Sequence, residues 1–244
     1  MLPLVRNISL DNSFTFAKED EFRHEVKYGL SQYQYLKFRD FCSGFMEYDK
    51  NAGERGEYIV KSYYFDTLYF FDYTEKLNGV YERKKYRLRT YGDSGYYRLE
   101  KKLKNGNLNK KISGEISADH ANMLVIGLMD IETGIESTDA IIAEMYLKGY
   151  RNSVYIEYSR QAFVMKELDL RITFDKDMGA LYANYDLSED KPDLHPFFYD
   201  GAAILEIKYK DSLPGWIERA IHQMVPSEYS LSKYADSLRS IFGH

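Results

Sequence analysis

The stretch Lys85-Tyr86-Arg87-Leu88-Arg89 decides the reading of this chain. Side chains alternate faces along a β-strand, so the run carries three cations on one face and Tyr86 and Leu88 on the other. The same alternation recurs at Arg98, Glu100, Lys102 and Lys104 against Tyr97, Leu99 and Leu103. It recurs at Asp169, Arg171, Thr173 and Asp175 against Leu168, Leu170, Ile172 and Phe174, and at Glu206, Lys208 and Lys210 against Ala203, Leu205, Ile207 and Tyr209. Arg23, Glu25 and Lys27 oppose Phe22, Val26 and Tyr28, and Lys111, Ser113 and Glu115 oppose Ile112 and Ile116.

Together the six ionic faces hold twelve cations: Arg23, Lys27, Lys85, Arg87, Arg89, Arg98, Lys102, Lys104, Lys111, Arg171, Lys208 and Lys210. Six acids share them: Glu25, Glu100, Glu115, Asp169, Asp175 and Glu206. The whole chain is acidic, with a net charge of -5, so a two-to-one cationic excess on one set of faces is selective. For any single strand the ordinary explanation is the wet side of an antiparallel sheet. If six such faces line a closed barrel, they focus their field on a polyanion. Arginine adds permanent charge and bidentate recognition of phosphate oxygens. The interspersed acids fit either of two roles, holding a divalent cation or holding the basic side chains in place.

The 244 residues suffice for a sizeable core in one large domain or two small ones. The acidic balance gives no expectation of non-specific nucleic-acid binding. Twenty-four tyrosines suit strands with one wet and one packed side. The single cysteine, Cys42, excludes an intramolecular disulfide and a thiol metal site, and reads as a packed thiol. No stretch approaches the roughly 20 apolar residues of a spanning helix. The N-terminus, with Asp11, Glu19 and Asp20, does not read as a secretory signal. The expectation is a soluble, cytoplasmic protein without a membrane segment.

Along the chain, residues 1–21 read as a leader. Strands are expected at 22–30, 58–66, 84–91, 96–104, 108–116, 153–165, 168–175 and 202–210. The connections Gly92-Asp93-Ser94-Gly95 and Asn105-Gly106-Asn107 make a meander of the three consecutive strands from Lys84 to Ile116. Helices are expected at 31–45, 68–77, 117–129, 138–147, in a segment with Pro214 at its first turn, and from Leu231 to Phe242. Residues 179–201 read as irregular. About eight hairpin-linked strands with helices grouped in blocks argue an α+β fold in a single domain.

Six motifs in this order resemble a known family: Phe22-Arg-His-Glu-Val-Lys-Tyr28, Tyr64-Phe-Asp-Thr67, Lys85-Tyr-Arg-Leu-Arg89, Leu99-Glu-Lys-Lys102, Ile204-Leu-Glu-Ile-Lys208 and Ser232-Lys-Tyr234. They are similar to the VTC domain, the catalytic domain of polyphosphate polymerases, within the triphosphate tunnel metalloenzyme (CYTH-like) superfamily. The resemblance covers nearly the whole chain, and defines 22–244 as the tunnel domain. It implies a closed antiparallel β-tunnel flanked by helices. It also implies Mn²⁺ or Mg²⁺ as cofactor, and ATP or another triphosphate together with polyphosphate as ligands.

By motif position, the resemblance gives Lys27, Arg87, Arg89, Arg160 and Arg171 the role of holding the reacting triphosphate. Lys102, Lys208, Tyr158, Ser232 and Lys233 are implied as further phosphate-binding residues. Glu206 is implied as the main metal ligand, with Glu25 and Glu100 as additional candidates. Two features depart from the pattern. Val154 and Ile156 share the parity of Arg160, which spoils the alternation of that strand, and Arg23 stands where superfamily hydrolases usually carry the first glutamate of E-x-E-x-K.

The activity expected is transfer of the ATP γ-phosphate to a growing polyphosphate chain. A metal-dependent triphosphatase and a polyphosphate- or nucleotide-binding module without turnover are the alternatives. The five histidines are too scattered for a metal site, Trp216 reads as core, and no Walker-type or Rossmann glycine motif is present.

Overall fold

The computed structural model describes residues 24–50, 52–53, 56–106, 108–182, 193–197, 202–225 and 232–243. The leader 1–21, Phe22, Arg23 and Leu231 lie outside them. The strands are β1 (His24–Leu30), β2 (Glu47–Tyr48), β3 (Glu57–Thr67), β4 (Glu82–Tyr91), β5 (Tyr97–Asn105), β6 (Leu108–Ile116), β7 (Tyr150–Met165), β8 (Leu170–Tyr182), β9 (His195–Pro196) and β10 (Ala203–Tyr209). The helices are α1 (Gln32–Ser43), α2 (Phe71–Leu77), α3 (Ala118–Val125), α4 (Glu136–Leu147), α5 (Gly215–Met224) and α6 (Lys233–Phe242).

Eight strands follow one antiparallel path, β1-β10-β8-β7-β3-β4-β5-β6, with β2 appended to β7 and β9 to β8. The sheet curls into a half-barrel. Its end strands β1 and β6 come into contact without a hydrogen-bonded ladder between them. The Lys102 ammonium of β5 reaches across this seam to Glu25 of β1 at 2.9 Å. The fold is α+β, as expected, and the last seam of the tunnel is spanned by side chains.

Alternation explains how the helices cover this sheet. Leu205, Ile207, Ile172 and Phe174 face outward from β10 and β8 and pack with Tyr35 and Phe38 of α1 and Ile217 of α5. Cys42 is buried in the same layer, and burial pushes its thiol pKa up, as a packed, unreactive sulfur requires. Trp216 packs against it too. A second outer layer joins Tyr86, Leu88 and Leu99 to Leu124 of α3 and to Ile141 and Met145 of α4. The third apolar cluster lies on the concave face. Val60, Val154, Ile156, Ala180 and Ile204 meet Tyr234 and Leu238 of α6 there. The shared parity of Val154, Ile156 and Arg160 is thereby explained: all three face inward, and the two aliphatic residues lie beneath α6.

Three expectations on the chain course are corrected. The segment read as irregular from Gly179 continues β8 as far as Tyr182. Asp177 has φ +49°, and the register with β7 shifts between Glu157 and Ser159. This bulge reverses the parity of the strand, so a pattern read from Leu170 to Asp175 breaks there. The helix expected from Leu68 starts at Phe71, after Phe70 in the left-handed region. Pro214 takes the position before the first helical residue of α5.

Gly114 of β6 lets α4 approach closely. A Cβ built there would stand 1.9 Å from Oγ1 of the fully buried Thr138. Gly114→Ala is expected to destabilise the protein by about 1–3 kcal/mol through overpacking. Thermal melts should show the loss, and the double variant with Thr138→Ala should recover most of it.

Candidate functional site

A cavity of about 490 Å³ opens inside the curl. β4 contributes Arg83, Lys84, Lys85, Arg87 and Arg89, and β5 contributes Lys102 and Lys104. Glu25 and Lys27 come from β1, Glu206 and Lys208 from β10, and Tyr158 and Arg160 from β7. Tyr64, Lys76, Ser232, Lys233 and Tyr234 complete the basic and aromatic part of the wall. Eight lysines and four arginines thus share this wall with two glutamates.

The cations fall into two groups. Some are matched by buried carboxylates. Lys27 Nζ lies 2.5 Å from Glu25 and 3.6 Å from Glu206, and Lys208 Nζ lies 2.7 Å from Glu206 and 3.7 Å from Glu25. Burial pushes both glutamates up, and repulsion from Glu206 adds to it at Glu25, yet the surrounding cations outweigh these effects. Each carboxyl is held well below its ordinary value. Burial pulls Lys102 down and Glu25 only partly compensates, leaving it at about 8. Arg160 grips the fully buried Asp175 at 2.6 and 2.8 Å, and Lys233 reaches the same carboxylate at 2.6 Å. Arg87 pairs with Glu100, which is 2% exposed and also 3.7 Å from Lys111.

The second group has no carboxylate partner among the described residues. Arg89 is buried and donates to the Tyr158 hydroxyl at 3.3 Å, while its Nε has no acceptor. Lys85 donates to Ser232 Oγ at 2.7 Å. Arg83 donates to the Val80 carbonyl at 2.7 Å. A buried charge without a counter-charge is costly, so the fold keeps Arg89, and in part the half-buried Lys85, at a penalty that an incoming anion would relieve.

Backbone features fix the wall. Ser232 caps α6, accepting from the Ala235 N–H at 3.3 Å, while its own N–H donates to Asp236 at 2.8 Å. Asp66, fully buried at the end of β3, accepts from the N–H groups of Thr67, Asp72 and Tyr73 and from the Tyr234 hydroxyl. One carboxylate therefore ties the start of α2 to α6. This is the structural role of the Tyr64-Phe-Asp-Thr67 motif.

Of the thirteen residues singled out in the sequence, eleven line this cavity: Lys27, Arg87, Arg89, Arg160, Lys102, Lys208, Tyr158, Ser232, Lys233, Glu206 and Glu25. Arg171 stands apart, bound by Asp49 and, at 3.1 Å, by the Tyr58 hydroxyl. Glu100, directly opposite Arg87 on β5, is engaged by it and is not among the lining residues. Lys76, Arg83, Lys84, Lys85 and Lys104 line the cavity without having been assigned a role from the sequence. Lys85 and Lys104 already stood on the ionic parity of their strands. Lys76 lies on α2 and Lys84 on the opposite parity, where alternation gives no sign.

Among the described residues no group of three or more His, Cys, Asp or Glu side chains converges. Glu25 and Glu206 do converge. Lys27 is opposite Glu206, and Lys208 opposite Glu25, in the β1–β10 register. Two ionised, mutually repelling carboxylates form an all-oxygen donor pair suited to a hard divalent cation that takes its remaining ligands from water and phosphate. No helix among the described residues is long and apolar enough to cross a membrane.

The architecture has solved counterparts. A protein from Bacillus halodurans described as a candidate adenylate cyclase is 13% identical, with a TM-score of 0.52 over 86% of this chain and 95% of that one. A candidate adenylyl cyclase from Hippeastrum, described as revealing a dominant triphosphatase activity, is 17% identical. Its TM-score is 0.51 over 88% of this chain and 95% of that one. At these identities the likeness establishes the fold. No curated protein matches the sequence. The VTC domain family matches residues 22–242, almost the whole sequence, and the chain belongs to that family.

Proposed function

We propose that this protein is a polyphosphate polymerase that transfers the terminal phosphoryl group of ATP to a polyphosphate chain held in the basic cavity. The observation that carries this reading is the surplus of cations. Among the described residues Lys85 and Arg89 lack carboxylate partners, and Arg83 and Lys104 border both the cavity and an adjoining groove of about 420 Å³. A triphosphatase needs cations where one triphosphate sits. A row that continues to the rim suits an extended polyanion. Family membership supports a triphosphate-handling enzyme, with triphosphatase as the second reading.

Phosphoryl transfer demands positioning and charge neutralisation more than a covalent enzyme group. Arg89 and Lys85 would take phosphate oxygens directly. Arg87 and Arg160 are pre-oriented by Glu100 and Asp175, which fixes their guanidinium planes before the ligand arrives. Lys27, Lys102 and Lys208 hold Glu25 and Glu206 ionised. Those two carboxylates would hold Mn²⁺ or Mg²⁺. When bound, such an ion supplies charge neutralisation at the transferring phosphoryl group.

Incubation with ATP and Mn²⁺, followed by ³¹P NMR, tests the reading. Expected is ADP together with growing internal-phosphate signal. ADP with orthophosphate alone would replace polymerase by triphosphatase, and binding without turnover would make the protein a carrier.

A further inference from the structure

Lys85 differs from its neighbours in the cavity. Lys27, Lys102, Lys208 and Lys233 each have a carboxylate within 3 Å. Among the described residues Lys85 has none; its Nζ rests on Ser232 Oγ at 2.7 Å and 5.6 Å from the Tyr234 ring centroid. The charged groups facing it are mostly of its own sign. Lys102 is directly opposite on β5, Lys27 comes from β1, Lys76 from α2 and Arg83 from the start of β4. From α6 comes Asp236, whose carboxylate is engaged by the Ser232 N–H at 2.8 Å.

We propose that Lys85 is a phosphate-binding residue whose charge is completed by its ligand, so that entry of a polyphosphate anion is accompanied by uptake of one proton from solvent onto the Lys85 amine. The proposal rests on the triphosphate reading of the cavity. Burial first, and then the four neighbouring cations, bring the Lys85 ammonium down to about 7. An oxyanion beside Nζ raises it again. The sign follows from linkage. Below pH 7 Lys85 is already charged and contributes its full attraction; as pH rises above 7, binding must draw a proton from increasingly dilute supply, and affinity falls. Ser232 makes the site specific, because the hydroxyl that holds Lys85 also caps α6, and a phosphate oxygen can replace that acceptor.

Calorimetric titration of inorganic tripolyphosphate at pH 8, in Tris and in HEPES, measures the protons taken up through the difference in buffer ionisation heat. Wild-type protein is expected to take up more protons than Lys85→Arg, by as much as about one per ligand, because arginine stays charged in both states. Lys85→Arg should retain binding, with an affinity less dependent on pH between 7 and 9 than that of the wild type. Lys85→Gln should bind roughly 10-fold more weakly at pH 7, the value of one charge-assisted hydrogen bond. Tripolyphosphate's own protonation is common to all three proteins and cancels in the comparison. Equal proton counts in wild type and Lys85→Arg, or full affinity at pH 7 in Lys85→Gln, would overturn the proposal while leaving the cavity reading intact. A wild-type protein that bound no tripolyphosphate would overturn both.

Discussion

Alanine at Arg87 is expected to cost both stability and phosphate binding, whereas alanine at Arg89 costs binding alone. The two arginines sit on the same face of β4, two residues apart, and line the same cavity. Their partners separate them. Arg87 neutralises Glu100, which is 2% exposed and would be left with Lys111 at 3.7 Å and the through-space charge of Arg89, with no close partner. Stranding a buried carboxylate in this way costs about 3–5 kcal/mol. In a chain of this length each kcal/mol lowers the melting temperature by roughly 2–4 °C. Arg89 makes no direct ion pair with a carboxylate among the described residues; it supports Glu100 only through space and less than Arg87 does, and its removal leaves Arg87 on Glu100 and Tyr158 still bonded to Arg160 at 3.3 Å. Arg89→Ala should therefore melt close to the wild-type temperature and well above Arg87→Ala. It should bind tripolyphosphate about 10- to 100-fold more weakly, the loss of one charged hydrogen-bonding group. Thermal melts and titrations on both variants check this. Equal destabilisation of the two, or undiminished binding by Arg89→Ala, would contradict the partition of cations described above.

Asp175 is the site of the other large effect. It is fully buried and joins Arg160 on β7 to Lys233 at the first turn of α6. Burial opposes its charge, but the two cations outweigh that and hold its carboxyl below the ordinary value. Its contribution is therefore complete above the unfolded-state value of about 3.9 and fades as pH falls through its lowered native value. Asp175→Ala is expected to lose about 3–5 kcal/mol at pH 7, since both cations then lose their buried carboxylate. Both also line the cavity, so a bound polyanion can stand in for the carboxylate. Saturating tripolyphosphate should raise the melting temperature of the variant more than that of the wild type. An equal rise in both proteins would place the ligand away from Arg160 and Lys233.

The sheet was legible from the chain wherever alternation and burial agree. In β4, Tyr86 and Leu88, which alternate with Lys85, Arg87 and Arg89, enter the outer layer under α3 and α4, so the pattern is undisturbed there. It fails at two places for physical reasons. Val154 and Ile156 are inward and apolar because α6 lies against the concave face there, a contact far away in sequence. β8 changes parity at the Asp177 bulge, so its second half does not look like a continuation of the first. The cavity wall was legible to the extent that strands build it. Lys76 is brought to the wall by α2, whose placement depends on the Asp66 hydrogen bonds. Arg171 shares the parity of Asp175 and yet is claimed by Asp49 and Tyr58. Parity names a face of the sheet, and the side-chain partners decide which cations on that face remain available.

The central claim is that the unmatched cations of the curled sheet are the seat of the triphosphate. A crystal structure with a non-hydrolysable ATP analogue and Mn²⁺ measures this most directly. The account predicts phosphate oxygens within hydrogen-bonding distance of Arg89 and Lys85, and an anomalous manganese signal beside Glu25 and Glu206. Phosphates bound outside the cavity, or bound within it with Arg89 and Lys85 still on Tyr158 and Ser232 alone, would contradict it.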